Sequence, residues 1–244
     1  MLRPLTALLA SLLLLGAAQL PAAEPSPVRT LTGEIDGARW TALVPGNWDG
    51  RLLLEAPDCF HAPAPLVATI DPESNGNRAL LAAGWALAAT SYRRHGPLVA
   101  DAIDDLRALR DHLAAELGQP KLTLVEGIGM GGLIATFIAE RHADEFHGCI
   151  AYDPQLELRD PRALRLRCDH QPRAPLLFLS SADTLGSVQE YIGLARRSAN
   201  AESIVPIFWF TTAEMPETEK TALRLDAIAS MEEWARTHES PTDR

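Results

Sequence analysis

The chain has 244 residues, of which 47% are hydrophobic and 22% are charged, and its net charge is −10. A chain of this length buries about 70% of its unfolded surface, so it needs neither a metal ion nor a disulfide bond for stability. The apolar content excludes general disorder, and the negative charge argues against sequence-independent binding to nucleic acid or to an anionic membrane surface. No cofactor or metal motif is present, and we expect none.

The first 23 residues have the features of a secretory signal peptide. Arg3 gives a positive start, an apolar run extends from Leu5 to Leu15, and small residues precede a cleavage point after Ala22 or Ala23. The run is too short to span a bilayer comfortably, although an uncleaved anchor is the alternative interpretation. We therefore expect a protein exported to the periplasm or the medium, with residues 24–244 forming one domain that has no membrane span.

Short β-type segments and one helix begin the mature chain. The dipeptide Asp36-Gly37 is typical of a β-hairpin turn. The predicted segments around and after it are strands at Thr30–Asp36, Arg39–Val44 and Arg51–Glu55, a helix at Asn77–Ala83, and a buried strand at Trp85–Tyr92.

From residue 100 onward, helical and strand patterns alternate. An apolar stripe at Ile103, Leu106, Leu109 and Leu113 predicts a helix over Ala100–Leu117. The later elements are strands at Lys121–Glu126, Cys149–Tyr152, Pro175–Ser180 and Ile204–Phe210, and helices at Gly131–Phe146, Ser187–Ser198 and Pro216–Thr237. Strands separated by helices require parallel crossovers. The pattern therefore predicts an α/β fold of about eight strands, with helices on both faces of a mostly parallel sheet.

Three segments of the chain carry a resemblance to a known family. They are Asn47–Leu54, Ala83–Ala88 and Gly127–Gly132. Together with the order of the elements, they resemble the α/β-hydrolase superfamily, particularly its secreted esterase-like branches, over almost the whole mature chain. The resemblance implies that the last segment is the nucleophile elbow, formed by Gly127, Ile128, Gly129, Met130 and Gly131. It also implies an α/β-hydrolase fold in which the short stretch from Asp153 to Arg173 allows only a minimal lid.

The chain departs from the family pattern where the family carries its catalytic residues. Gly129 stands at the nucleophile position, which in a serine hydrolase needs a side-chain oxygen. The acid position falls on Asp183, but the segment around Thr211 and Thr212, where the histidine belongs, contains no histidine. Pro57-Asp58-Cys59 replaces the oxyanion loop, and an acid there would repel a developing negative charge. We therefore expect a degenerate triad, in which Asp183 is the retained acid or a turn residue.

Four residues are candidates for the mouth of a ligand site, namely Cys59, Tyr92, Arg93 and Arg94. Arginine recognises carboxylates through two parallel hydrogen bonds, so the pair at 93 and 94 fits an anionic ligand. A solvated loop paired with nearby acids is the alternative. A reactive thiol at Cys59 is the less favoured role, because the adjacent Asp58 would raise its pKa.

Two cysteines, Cys149 and Cys168, are placed to form a disulfide bond. Export would expose the chain to oxidising conditions, in which such a bond persists. The alternative is that all three cysteines, including Cys59, are small buried apolar residues.

Three functions remain open from the sequence. The first is a non-catalytic binding or regulatory protein, because the crevice at the carboxyl ends of the strands survives loss of the triad. The second is a carboxylic-ester hydrolase that uses catalytic residues outside the family pattern. The third is an exported inhibitor of a partner protein. The expected partner is therefore a small molecule or a protein.

Overall fold

A computed structural model of the chain describes residues 27–58, 67–94, 96, 99–156, 167–200, 203–212 and 214–242. These residues form eight strands and five helices. The strands are β1 (Val28–Ile35), β2 (Ala38–Pro45), β3 (Arg51–Ala56), β4 (Trp85–Thr90), β5 (Leu122–Ile128), β6 (Gly148–Tyr152), β7 (Leu176–Ser180) and β8 (Ile207–Phe210). The helices are α1 (Asn75–Ala82), α2 (Val99–Leu117), α3 (Met130–Arg141), α4 (Leu185–Ser198) and α5 (Glu217–Thr237).

All eight strands belong to one sheet with the order β1-β2-β4-β3-β5-β6-β7-β8. The antiparallel hairpin of β1 and β2 joins the sheet through an antiparallel pairing of β2 with β4. Asp36 and Gly37 both have positive φ, 50° and 86°, as the predicted tight hairpin turn requires. The strands from β3 to β8 pair in parallel, so their carboxyl ends meet at one edge of the sheet. The predicted mostly parallel sheet is confirmed.

Two apolar cores lie on opposite faces of this sheet. On one face, α2, α3 and α4 pack against residues such as Leu54 and Val125. On the other face, α1 and α5 cover residues such as Leu53 and Leu124. Successive residues of a strand point to opposite faces, which explains why strands buried on both sides are continuous apolar runs. Within the described residues, no helix combines the length and apolar character needed to cross a membrane.

Two predicted elements exceed the observed ones by three residues or more. Helix α3 ends at Arg141 rather than Phe146, because His142 leaves the helical region and residues 142–146 form a turn that buries the Phe146 ring. Strand β8 begins at Ile207 rather than Ile204. The residue before it, Pro206, has no N–H to donate to a strand ladder.

Candidate functional site

The site begins at a sharp glycine turn between β5 and α3. Gly129 forms this turn with φ 59° and ψ −113°, a backbone conformation that residues with a Cβ rarely adopt. Its N–H donates to the carbonyl of Tyr152 (3.0 Å), and its carbonyl accepts from the N–H of Gln155 (3.0 Å). The turn is therefore held at the carboxyl end of β6, where the resemblance to hydrolases places a nucleophile elbow.

The glycines on either side of the turn allow unusually close packing. A Cβ added to Gly127 would lie 2.4 Å from the backbone of Gly131, and one added to Gly131 would lie 1.9 Å from the carbonyl oxygen of Ala56. Gly132 is similarly close to Pro154, at 3.1 Å. The sequence needs glycine at these positions because the start of α3 contacts the backbone of neighbouring strands directly.

A carboxylate lies over the turn. A Cβ built on Gly129 would be 3.2 Å from Oδ2 of Asp58 and 3.9 Å from the side-chain nitrogen of Gln155. Asp58 follows β3, so its side chain reaches the turn from the adjacent strand. The space that an elbow side chain would occupy is therefore bordered by a negative group.

Asp183 lies in an exposed turn after β7. The acid that holds the carboxyl ends of β6 and β7 together is Asp153. Oδ1 of Asp153 accepts hydrogen bonds from the N–H of Ser181 (2.7 Å), from its hydroxyl (2.8 Å) and from the hydroxyl of Thr184 (2.6 Å). These bonds join the ends of β6 and β7. The position of Asp153, directly after a buried strand, was the signal in the sequence that could have drawn attention to it.

The segment after β8 continues the sheet rather than presenting a base. The N–H of Thr211 donates to the carbonyl of Ser180 (2.9 Å), and Thr212 is exposed. In the sequence, the histidine after His170 is His238, which caps the carboxyl end of α5 in a left-handed conformation. No histidine lies among the described residues between β8 and α5.

Three of the four residues predicted for the ligand mouth make hydrogen bonds within the protein. Tyr92 is only 2% exposed, and its hydroxyl donates to the carbonyl of Pro57 (3.3 Å). The Nε of Arg93 donates to Asp105 (2.7 Å), and that of Arg94 donates to Asp101 (2.9 Å), both on α2. The arginines are thus paired with nearby acids, which was the alternative, because α2 presents its first two turns to this loop. Cys59 lies outside the described residues.

The predicted bridge between Cys149 and Cys168 is absent. Both residues are free thiols, and Cys149 is fully buried in β6. Burial raises the pKa of each thiol well above its ordinary value, so both remain protonated. Cys149 packs into the apolar core and Cys168 against its border, which is the alternative role as small apolar residues.

A cluster of polar side chains that was not predicted lies beside the glycine turn, on the face covered by α1 and α5. Glu55 of β3 and Glu126 of β5 are direct neighbours in the sheet. Arg224 of α5 donates through Nε to both oxygens of Glu126 (3.0 Å each) and through Nη1 to Asn77 of α1 (2.8 Å). The hydroxyl of Tyr152 donates to Glu126 (3.1 Å). The cluster therefore joins three strands and two helices.

This cluster lines a cavity of about 300 Å³, which we call the Glu55 pocket. Its lining residues are Glu55, Ala56, Pro57, Asn77, Glu126, Gly127, Ile128, Tyr152 and Arg224. The Glu126 side chain is 7% exposed and that of Glu55 is 28% exposed, whereas Ile128 at the rim is 57% exposed. The pocket thus combines a buried ion pair, a more accessible carboxyl group and an apolar rim.

The two glutamates differ in how they are paired. Arg224 binds Glu126 closely but stands 3.6 Å from the nearest Glu55 oxygen. Burial, together with the charge of Glu126, raises the pKa of Glu55 to about 7, although Arg224 opposes the shift. Glu55 therefore changes its charge near neutral pH. A signal existed in the sequence, because both glutamates end runs that are otherwise largely apolar (RLLLE and KLTLVE).

Comparison with known proteins identifies the fold. No family model and no curated protein matches the chain. A prolyl endopeptidase aligns with a TM-score of 0.68 and 12% identity, over 89% of this chain and 40% of its own. Dipeptidyl peptidase 4 of Porphyromonas gingivalis aligns with a TM-score of 0.60 and 13% identity, over 86% and 36% of the two chains. An esterase of Pyrococcus furiosus aligns with a TM-score of 0.58 and 16% identity, over 86% and 93%.

These similarities define the fold of the chain. The chain spans well under half of the two peptidases and most of the length of the esterase. Identities this low carry information about the fold alone. The chain therefore has the α/β-hydrolase fold, as its sequence predicts. Its glycine turn lies between β5 and α3. Among the described residues, no group of three histidine, cysteine, aspartate or glutamate side chains is arranged to hold a metal ion.

Proposed function

We propose that this protein is a binding or regulatory protein that retains the α/β-hydrolase fold without serine-hydrolase activity. The observation that carries the proposal is the glycine turn, in which Gly129 has the sharp elbow conformation but no side chain to acylate. A hydrolase of this fold forms its covalent intermediate through an oxygen at that position. Without that oxygen, the two-step mechanism has no first step.

The surroundings of Gly129 support the same conclusion. Asp58 places a carboxylate next to the turn, within 3.2 Å of the Cβ position. A serine esterase stabilises negative charge on the substrate oxygen with N–H donors, and a nearby carboxylate opposes that charge. The exposed Asp183 has no histidine to orient in the segment after β8. Three parts of the catalytic arrangement are thus unsuited to acyl transfer.

We also propose that the protein works outside the cytoplasm. The support is the apolar run from Leu5 to Leu15 and the small residues that end at Ala23. These residues lie outside the part of the chain that the structure describes. Cleavage there would release a chain that starts near Glu24.

One preparation tests both proposals. The full chain is expressed with its leader in a bacterial host, and the protein is purified from the exported fraction. Its intact mass should correspond to a start at Ala23 or Glu24. The same sample is then incubated with a fluorophosphonate probe, beside a serine esterase of the same fold as a positive control. We expect no labelling of the folded protein. Stoichiometric labelling of any serine would establish the ester-hydrolase alternative instead.

A further inference from the structure

The Glu55 pocket carries one negative charge that no cation among the described residues fully neutralises. Two hydrogen-bonding nitrogens of Arg224 are directed to Glu126 and a third to Asn77. Glu55 receives only the more distant contact of 3.6 Å from the same guanidinium. No side-chain hydrogen bond to the Glu55 carboxyl group is present in the described part of the chain. When Glu55 is ionised, the pocket therefore holds two negative charges and one positive charge.

The walls beside Glu55 determine what else a ligand would contact. Ala56 and Pro57 continue from Glu55 along the chain, and Ile128 projects from the end of β5 with more than half of its surface exposed. An exposed branched side chain at the rim of a charged pocket offers apolar surface to a bound molecule. A pocket of about 300 Å³ is at the lower end of the size range of small-molecule sites.

We propose that the Glu55 pocket binds a small organic amine in its ammonium form. The Glu55 carboxylate accepts hydrogen bonds from the ammonium group, and Pro57 and Ile128 contact the aliphatic part. This inference rests on the proposed function, since it treats the molecule in the pocket as a bound ligand and not as a substrate.

Other classes of ligand fit the charges less well. An anion would meet two glutamates, and the one arginine present already donates to Glu126 and Asn77. A neutral alcohol would leave the negative charge of Glu55 unbalanced. An ammonium group completes the charge balance, and hydrogen bonds between charged groups are about twice as strong as those between neutral groups.

The proposal predicts a specific dependence on pH. The groups that face Glu55 are Glu126 on β5, Tyr152 on β6, and Arg224 and Asn77 on the two covering helices. Burial raises the pKa of Tyr152. Burial lowers the pKa of Arg224, but the charge and hydrogen bonds of Glu126 together with the charge of Glu55 outweigh it and raise that pKa, so neither group changes charge between pH 5.5 and 8. Glu55, with its pKa of about 7, titrates within this range. Since an ammonium ion binds the ionised carboxylate, affinity should fall as the pH decreases.

The experiment is isothermal titration calorimetry of the purified full-length chain with n-butylamine hydrochloride, at pH 8 and at pH 5.5. n-Butanol is the neutral control, and sodium butyrate is the anionic one. We expect butylammonium to bind at pH 8 and to bind about 30-fold more weakly at pH 5.5, which is the ratio expected for a carboxyl group with a pKa of about 7. Butanol and butyrate should bind at least tenfold more weakly than butylammonium at pH 8.

Two variants locate the effect. Glu55→Gln should weaken butylammonium binding at pH 8 at least tenfold and remove its pH dependence. Glu219→Gln makes the same change of charge at an exposed position on α5 and should leave the affinity unchanged. Circular dichroism checks that both variants fold. If Glu55→Gln does not fold, the binding of the three probes to the wild type at the two pH values decides whether the proposal holds.

The results separate this proposal from the proposed function. The amine site would be overturned by any of three results. They are that butylammonium does not bind, that butanol binds equally well, or that folded Glu55→Gln binds butylammonium as the wild type does. None of these outcomes depends on fluorophosphonate labelling, which alone decides whether the protein is a serine hydrolase. An unlabelled protein that does not bind butylammonium would keep the non-catalytic function and lose only this ligand.

Discussion

At the scale of single residues, the chemistry at the carboxyl edge of the sheet depends on Gly129, which has no side chain. Its positive φ was predictable in kind, since a sharp turn between a strand and a helix within a glycine-rich segment needs this freedom. The approach of Asp58 was predictable only in part. Its place after β3 follows from the sequence, but the distance of 3.2 Å depends on the path of the chain beyond Ala56. Local patterns do not contain that path.

Replacing Gly129 with serine tests whether the rest of a catalytic site is present. We expect Gly129→Ser to fold and to lose about 1–3 kcal/mol of unfolding free energy, because a residue with a Cβ is strained at φ 59° and meets Asp58. We expect no hydrolysis of p-nitrophenyl esters above the parent rate, since no histidine among the described residues is placed to accept the serine proton. Urea unfolding and a steady-state esterase assay measure the two effects.

The matched control for this substitution is Gly118→Ser. Gly118 also has a positive φ, 100°, but a Cβ there meets nothing within 4 Å. Its cost therefore reports the strain of a positive φ without crowding, and a larger loss in Gly129→Ser is the result expected from the additional contact with Asp58. Turnover by Gly129→Ser that is removed by Asp183→Asn would mean that a base is already in place and that the chain lost its catalytic oxygen very recently.

At the scale of elements, the alternation of strands and helices could be predicted from the sequence because each pattern is local. The apolar runs and the stripe along α2 reflect burial on the two sides of a sheet, so eight strands and their parallel pairing could be predicted. The insertion of β4 between β2 and β3 is not contained in any local period. The end of α3 was missed for a similar reason, since the turn at His142 serves to bury Phe146 against the core.

The junction between α3 and β3 gives the prediction at this scale. Gly131→Ala would place a Cβ 1.9 Å from the carbonyl oxygen of Ala56, and backbone atoms cannot move away as a flexible side chain can. We expect a loss of at least about 3 kcal/mol, or no folding, because helix and strand must separate. Thermal and urea unfolding provide the measurement.

The comparison for Gly131→Ala is Gly186→Ala at the start of α4. A Cβ at Gly186 meets nothing within 4 Å, so alanine should leave stability unchanged or raise it by up to about 1 kcal/mol. Equal effects of the two substitutions would contradict the close packing of α3 on β3.

At the scale of the whole molecule, the Glu55 pocket shows where sequence analysis reaches its limit. Glu55 and Glu126 are visible as acids at the ends of apolar strands, and the parallel sheet makes them neighbours. Arg224, however, is 98 residues from Glu126 along the chain and arrives only when α5 packs across the sheet. Asn77 comes from yet another helix. A cluster assembled from five elements is a property of the complete fold.

The ionisation of Glu55 should also affect the stability of the whole molecule. Its pKa is raised from the ordinary 4.5 to about 7 in the folded state, so the folded protein retains this proton at pH values where the unfolded chain has released it. Stability attributable to Glu55 is therefore present below pH 4.5 and is lost as the pH rises to about 7. Relative to the wild type, Glu55→Gln should gain about 3 kcal/mol between pH 4.5 and pH 8. Urea unfolding at both values measures this gain.

The same measurement with Glu219→Gln is the control for the removal of a carboxyl group at an exposed position outside the pocket. A Glu55→Gln variant that gains nothing at pH 8 would mean that the Glu55 pKa is not raised in the folded protein. A gain in stability combined with weaker binding of butylammonium would have one physical origin. The carboxylate that is unfavourable in the empty pocket is the group that a bound ammonium ion would neutralise, so the amine should stabilise the wild type at pH 8 and leave Glu55→Gln unchanged.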